Sequence, residues 1–304
     1  EYQNEPLPQV STTTLTAEEI ASKINGYERC KVPQDAQKLT AFIDVQKDVL
    51  YYTVIAWAEN FTGYIVDYGT FPDQKRSSFS LREVRYTLAK QFPGTGLEGS
   101  LFAGLKALTD QLCVPWTRDD GAKLAIERLL IDANWGDSKE TVYNFCRQSP
   151  HTAILMPSHG MFIRAAHTFN QYRAKPGERR GPNWRIPPLS AGKVVRHAVF
   201  NANFWKSFIR NRLTTAVADP GSVSLFKGNH EMLADHLTSE TPITVTAGGN
   251  TVEEFILRPS RDNHLLDCVV GCAVAASIQG VTLACHQSQP QPRKRRARVT
   301  YINV

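Results

Sequence analysis

Three short segments dense in β-branched and aromatic residues, Leu39–Val45, Leu50–Trp57 and Phe61–Tyr68, follow one another with only the polar breaks Gln46-Lys47-Asp48 and Glu59-Asn60 between them. Strand-length apolar runs joined so tightly can pair only as an antiparallel meander. Leu81, Val84 and Leu88, then Leu101, Leu105 and Leu108, recur at helical intervals on either side of a Pro93-Gly94-Thr95-Gly96 break. A strand from Leu124 to Ile131 comes next, its apolar end Leu129-Leu130-Ile131 running straight into Asp132. Asp137 to Glu140 reads as an N-cap box opening a helix through Phe145, and Ala153–Met156 as another buried strand. Strand, helix and strand in that order imply a parallel crossover added to the meander.

The order βββαβαβ predicts an α/β chain of ribonuclease H-like type. In it a mixed sheet, made of the three-strand antiparallel meander plus parallel strands, is flanked by helices and carries a long basic insertion. Residues 1–38 read as an N-terminal arm or linker, with a helical pattern over Ala17–Asn25 and a turn at Lys31-Val32-Pro33-Gln34-Asp35. The main domain then spans 39–280. Its insertion at about 160–260 is broken at Pro176-Gly177, Gly181-Pro182, Pro187-Pro188 and Pro220-Gly221, and a helix from Asn263 to Ile278 follows. Residues 281–304 form a Gln/Pro-rich, basic tail whose composition predicts disorder. With 42% of its residues apolar, the chain can build an ordinary globular core.

No run of about 18 apolar residues occurs, and Glu1 to Val10 is acidic with no apolar h-region, so a soluble, unsecreted protein without membrane contact is expected. Cys30, Cys113, Cys146, Cys268, Cys272 and Cys285 form no CxxC pair and no dense framework, which suits a reducing cytoplasm. The net charge of +6 conceals an asymmetry. Residues 160–212 hold eleven Lys or Arg against the single acid Glu178, and Arg293-Lys294-Arg295-Arg296-Ala297-Arg298 adds five more positive charges. Two concentrated basic segments on an otherwise acidic chain indicate a polyanionic partner at specific surfaces.

Asp44 and Asp132 each end a strand whose apolar run marks it as central, and strand C-termini are where open α/β sheets place their sites. Either acid alone is equally a turn residue closing its strand. Asp267 is more informative. It shares a helical stripe with Val270, Gly271, Val274 and Ile278, the stripe that must face the sheet. A buried, unpaired carboxylate costs several kcal/mol, so Asp267 must meet a cation. That cation is either a metal ion or a distant side chain such as Arg258, since no Lys or Arg lies within a helical turn on that face.

Three carboxylates converging from two adjacent strands and a packing helix repel one another unless hard divalent cations neutralise them. Mg²⁺ or Mn²⁺ on oxygen ligands answers this, and two such ions clamp the attacking and leaving oxygens of a phosphodiester. Asp48 is a further candidate near the same edge, whereas Asp67 reads as a strand end and Asp137 as a helix cap. Asn263 and His264, one turn before Asp267, are placed to orient a ligand or touch the phosphate. A zinc site from His264, Cys268 and Cys272 is set aside, because HxxxCxxxC is not a zinc spacing and small buried cysteines explain it. In the basic segment Arg173, Lys175, Arg179, Arg180 and Arg185 read as a flexible loop tracking DNA, with the interleaved aromatics mostly packing the insertion.

Several phrases together carry a family resemblance. Leu39-Thr40-Ala41-Phe42-Ile43-Asp44-Val45-Gln46 is followed by Leu130-Ile131-Asp132-Ala133-Asn134-Trp135-Gly136 before a Thr-Val-Tyr helix. Asn263-His264-Leu265-Leu266-Asp267-Cys268 then precedes an Ala-rich helix. Phe204-Trp205-Lys206 with Arg212-Leu213, Pro220-Gly221 before Phe226, and Leu237-Thr238-Ser239-Glu240 extend the match over roughly residues 30–280. The chain resembles the nuclease domain of lambda-type tailed-phage terminase large subunits.

The resemblance implies a metal-dependent endonuclease that cuts concatemeric viral double-stranded DNA during genome packaging in the host cytoplasm. Its implied partners are a packaging ATPase domain, a small terminase subunit and a portal. No GxxxxGK[ST] phosphate loop occurs, so no ATPase activity is expected from this chain, which is either an excised half or a stand-alone relative. Two alternatives keep the fold: a resolvase- or transposase-like nuclease, and a non-catalytic DNA-binding or assembly module.

Overall fold

The computed structural model describes residues 9–10, 15–167, 169, 172–189 and 194–283. The expected basic tail therefore lies outside the described residues, apart from Val281 to Leu283. Along the chain run β1 (Gln9–Val10), α1 (Ala17–Ala21), β2 (Lys31–Val32), β3 (Lys38–Val45), β4 (Leu50–Trp57) and β5 (Gly63–Phe71). They are followed by α2 (Leu88–Gln91), α3 (Gly96–Leu112), β6 (Trp116–Arg118), β7 (Lys123–Leu124), β8 (Arg128–Asp132), α4 (Lys139–Gln148) and β9 (Leu155–Met161). The remainder comprises β10 (Arg179–Gly181), β11 (Trp184–Ile186), β12 (Ala198–Asn201), α5 (Ala202–Thr214), β13 (Val223–Leu225), α6 (Glu231–Leu237), β14 (Glu240–Ala247), β15 (Asn250–Leu257) and α7 (His264–Ile278).

A nine-stranded mixed sheet in the order β10-β11-β12-β9-β8-β3-β4-β5-β13 is the frame. The meander pairs antiparallel, Asp44 facing Tyr51 and Val54 facing Asp67, while β8 and β9 join β3 in parallel, with Ile43 opposite Ile131 and Ile131 opposite Pro157. The α/β mixed-sheet architecture is the one the order of elements predicted.

Alternation along each strand sorts residues onto two cores. Ala41, Ile43, Val45, Leu129 and Ile131 face a cluster built with α3 and α4. Phe42 and Leu130 face the opposite cluster, built with α5, α6 and α7. Asp44 and Asp132 keep step with Phe42 and Leu130, so both side chains emerge on the α7 face, one residue beyond the Ile43–Ile131 pair.

Helix α7 is seated on β3 and β4 by small residues and by two buried polar ties. A Cβ at Gly271 would fall 1.8 Å from the Phe42 ring, so only glycine lets the helix lie this close. Thr40 Oγ1 accepts from Trp57 Nε1 at 2.8 Å and donates to the Cys272 carbonyl at 2.9 Å, and Cys272 Sγ donates to the Thr53 carbonyl. Cys268 and Cys272 are both fully buried, small core residues of this interface rather than exposed ligands.

The structure departs from the expected elements in several places. Residues 15–38 are less of an arm than composition suggests: α1 buries Ile20 against the α6 side, Ile24 bridges Leu225, and β2 pairs with β6. Leu81–Glu83 is a single 3-10 turn and α2 only four residues, because the capping box of Ser80 with Glu83 and the N-cap of Thr87, whose hydroxyl accepts from Lys90 N, start the chain afresh twice. Asp137 caps nothing; α4 begins after Ser138, whose hydroxyl donates to the Trp135 carbonyl. The stretch read as an insertion also builds both sheet edges, β10–β12 beside β9 and β13 parallel to β5.

Candidate active site

Strands β3 and β8 end together and α7 begins above them. Around that junction an open cleft of about 360 Å³ is lined by Asp44, Asp132 and Asp267 with Gln46, Asn134, Lys206, Asn263 and His264. The three acids singled out in the sequence are thus neighbours, although 44, 132 and 267 lie far apart along the chain.

Asp44 is 5% exposed. Gln46 Nε2 donates to its Oδ2 at 3.0 Å, and His264 Nδ1, at 2.8 Å from the same oxygen, donates to it as well. Tyr51, across the strand pair from Asp44, stacks on His264 with ring centroids 4.5 Å apart and so fixes the imidazole. Burial works against the His264 imidazolium, but the Asp44 hydrogen bond and charge outweigh it and hold its pKa above the ordinary value. Burial pushes the Asp132 carboxyl up to about 8, with the negative charges of Asp44 and Asp267 adding to the rise. Its Oδ1 faces the Asn134 amide at 3.4 Å, an outer-limit contact.

Asp267 meets a cation, as the sequence demanded, but from another element: Lys206 on α5, Nζ 3.1 Å from Oδ1. Lys206 also lies 2.6 Å from Glu240 Oε1, which accepts from Asn263 Nδ2 at 2.7 Å. Arg258 instead donates to Thr241 Oγ1. Burial pushes the Asp267 carboxyl up, Lys206 draws it down and Asp44 raises it again, leaving it above the ordinary range. For Lys206, burial depresses the ammonium and the two acids more than restore it, so it stays charged.

Among the described residues, no three His, Cys, Asp or Glu side chains stand close enough to enclose a single ion. Two of the three Asp carboxylates are turned toward protein donors, Asp44 toward His264 and Gln46, Asp267 toward Lys206. The donor chemistry nonetheless suits hard divalent cations: clustered carboxylate oxygens lining an open cleft, with one acid raised to about 8 by its burial and then by the charges of its two neighbours. Asp44, Asp132 and Asp267 are the side chains that could hold such ions.

Asp48, a candidate from sequence, lies in the β3–β4 turn outside the cleft lining; its carbonyl accepts from Leu88 N. Asp67 pairs with Arg29 at 2.6 Å and accepts from the Tyr52 hydroxyl, away from the cleft. Of the five basic residues expected on a DNA-tracking loop, Arg173 and Lys175 are exposed, while Arg179, Arg180 and Arg185 sit in the β10–β11 hairpin. Arg180 pairs with Glu178 and lies over the Tyr172 ring. Arg185 donates to the Phe169 carbonyl and stacks on Phe169. Arg179 Nη2 donates to the Ile278 carbonyl. None of the five lines the cleft. Gln46, Lys206 and Glu240 did not stand out as site residues in the sequence, although all three belong to phrases that carry the resemblance.

No curated protein matches the chain. The model of the family described as "Terminase large subunit gpA, endonuclease domain" matches residues 4–289, nearly the whole sequence. The chain therefore belongs to the terminase large subunit gpA endonuclease-domain family, whose role is that of a nuclease in genome packaging, acting on DNA alongside the packaging machinery.

Proposed function

We propose that this domain cuts double-stranded DNA by metal-dependent phosphodiester hydrolysis, with Asp44, Asp132 and Asp267 holding two Mg²⁺ or Mn²⁺ ions. The observation that supports the reading is the meeting of three carboxylates, two from adjacent strand ends and one from the first turn of α7, in one open cleft. Asp44 and Asp132, at the ends of neighbouring strands, and Asp267, in the first turn of the helix packed over them, would together hold the ions. The ions, when bound, supply charge stabilisation to the attacking and leaving oxygens of the phosphodiester.

The remaining groups prepare those ligands. Gln46 and His264 both donate to Asp44 Oδ2 and hold that carboxylate in one rotamer. Stacking on Tyr51 limits rotation of the His264 ring. Asn263, at the N-cap of α7, ties the start of the helix to Glu240, so the turn bearing Asp267 is anchored before any ligand arrives. The cleft is open to the surface, so a duplex can approach it from outside. In the setting of packaging it would separate unit genomes from concatemers in the host cytoplasm, together with an ATPase domain, a small terminase subunit and a portal.

Nicking and linearisation of supercoiled plasmid test the reading. Cleavage should require Mg²⁺ or Mn²⁺, stop in EDTA, and disappear in Asp44→Asn, Asp132→Asn and Asp267→Asn variants. Undiminished cutting by any of the three removes that residue from the site, and a clean wild-type protein that binds DNA but never cuts it argues for a binding module instead.

A further inference from the structure

Among the described residues that line the carboxylate cleft, Lys206 is the only lysine or arginine, and two acids share it. The two differ in kind. Asp267 opens to the cleft, with 38% of its side chain exposed, whereas the Glu240 side chain is 5% exposed and lies behind Lys206, outside the cleft lining. Glu240 is also fixed by Asn263, whose Nδ2 donates to the same Oε1 that Lys206 approaches, while Oε2 is buried with no hydrogen-bond partner. The Lys206–Glu240 contact is 2.6 Å and the Lys206–Asp267 contact 3.1 Å, so the ammonium leans toward the buried acid.

We infer that Glu240 is a positioning residue for the metal site, acting through Lys206. By holding the ammonium on its own side it leaves Asp267 free enough to exchange Lys206 for a divalent cation. The inference rests on the proposed metal-binding role of Asp267. A lysine paired with Asp267 alone would compete directly with an incoming cation for the same carboxylate. A lysine shared with a deeper acid needs only a small displacement toward Glu240 to give Asp267 up. Burying an unpaired glutamate beside the site would otherwise be costly, and this arrangement gives Glu240 a counter-charge whether or not a cation occupies Asp267.

The test is Mn²⁺ binding followed by loss of the free-ion electron paramagnetic resonance signal, in the wild type, Glu240→Gln, Lys206→Met and Lys206→Met/Glu240→Gln. Glutamine keeps an acceptor for Asn263 and Lys206, and the double variant leaves only Asp267, whose side chain opens to the cleft, without its ammonium, so no charge is stranded behind the cleft in the comparison that matters. Glu240→Gln should weaken Mn²⁺ binding about 10-fold to 100-fold, the range seen when groups that orient metal ligands are changed. In the Lys206→Met background the same substitution should change it by no more than about 3-fold, because the two residues act as one unit. Equal effects of Glu240→Gln in both backgrounds would make Glu240 merely a nearby charge and overturn the inference, as would unchanged affinity in Glu240→Gln. A wild type that binds no Mn²⁺ overturns the metal reading itself, and this inference with it, whereas binding by the wild type with a silent Glu240→Gln overturns the inference alone.

Discussion

Substituting Gly271 by alanine should loosen the one helix that carries Asp267. The added Cβ would lie 1.8, 2.2 and 2.3 Å from three atoms of the Phe42 ring, where ordinary contact begins at 3.4 Å. Helix or ring must therefore retreat by more than an ångström. Retreat is resisted on one side by the Thr40–Cys272 hydrogen bond and on the other by the buried sheet. Overpacking of this kind costs about 1–3 kcal/mol, with this clash at the upper end, and the better helix propensity of alanine returns about 1 kcal/mol. The net loss of about 2 kcal/mol should lower Tm by about 3–4 °C for a domain of this size. Gly271 is one turn from Asp267, so plasmid cleavage should fall as well, below the temperature at which the variant unfolds. Phe42→Ala alone should cost about 3–5 kcal/mol through its cavity. The double variant should be less destabilised than the sum by about 1–2 kcal/mol, because the new methyl enters space the ring has left. Calorimetry on the four proteins decides the matter: a Gly271→Ala variant that melts with the wild type, or strictly additive losses, would refute the account of how α7 is seated.

Thr40→Val should cost about 1–3 kcal/mol in chemical denaturation despite its near-identical shape, since it strands the Trp57 indole N–H in the core and takes from the Cys272 carbonyl the bond it makes outside its own helix; a loss below roughly 0.5 kcal/mol, the surface-substitution range, would mean that the indole finds another partner. In EDTA, the Asp132 carboxyl lies near 8 against an ordinary 3.8, so the folded state binds the extra proton and stability should decline as pH rises from about 4 to about 8. Asp132→Asn should flatten that decline, and an unchanged pH profile of Tm would place the excess proton elsewhere. His236 runs the other way. Burial, then repulsion from His264, depresses it to about 4, and its Nδ1 accepts from Leu265 N at the start of α7. The unfolded chain therefore takes up a proton that the fold refuses, and stability present above pH 6.5 should be lost as pH falls toward 4, by up to about 3 kcal/mol. His236→Gln should remove this acid sensitivity, and a variant as acid-labile as the wild type would exclude His236 as its source.

The centre of the fold was legible because its strands are buried on both faces and leave long unbroken apolar runs, as in Leu50–Trp57 and Leu129-Leu130-Ile131. The edges were not: β10, β11 and β13 are three residues each, too short for a period, and β13 finds its partner β5 about 160 residues upstream. Asp267 announced itself as a charge on an apolar stripe. Its partner did not, because Lys206 sits in a segment with so many basic residues that each one looks like a contact for polyanions. Composition likewise overstated the loop character of residues 173–185, where arginines serve the hairpin through Glu178, Tyr172 and Phe169. What the linear pattern cannot convey is which cation a given acid will meet once distant helices are brought together.

That the carboxylates come from residues 44, 132 and 267 also sets a timetable. On the ribosome Asp44 is made 223 residues before Asp267, an interval of roughly ten to forty-five seconds at ordinary elongation rates. Throughout it β3 can pair with β4 and later with β8, but the helix that roofs the cleft does not yet exist. A nascent or prematurely terminated chain thus lacks one wall of the cleft and one of its three acids. If Asp44, Asp132 and Asp267 act together as proposed, the site is complete only once α7, the last described helix, has docked, and a chain truncated before it should not cut DNA.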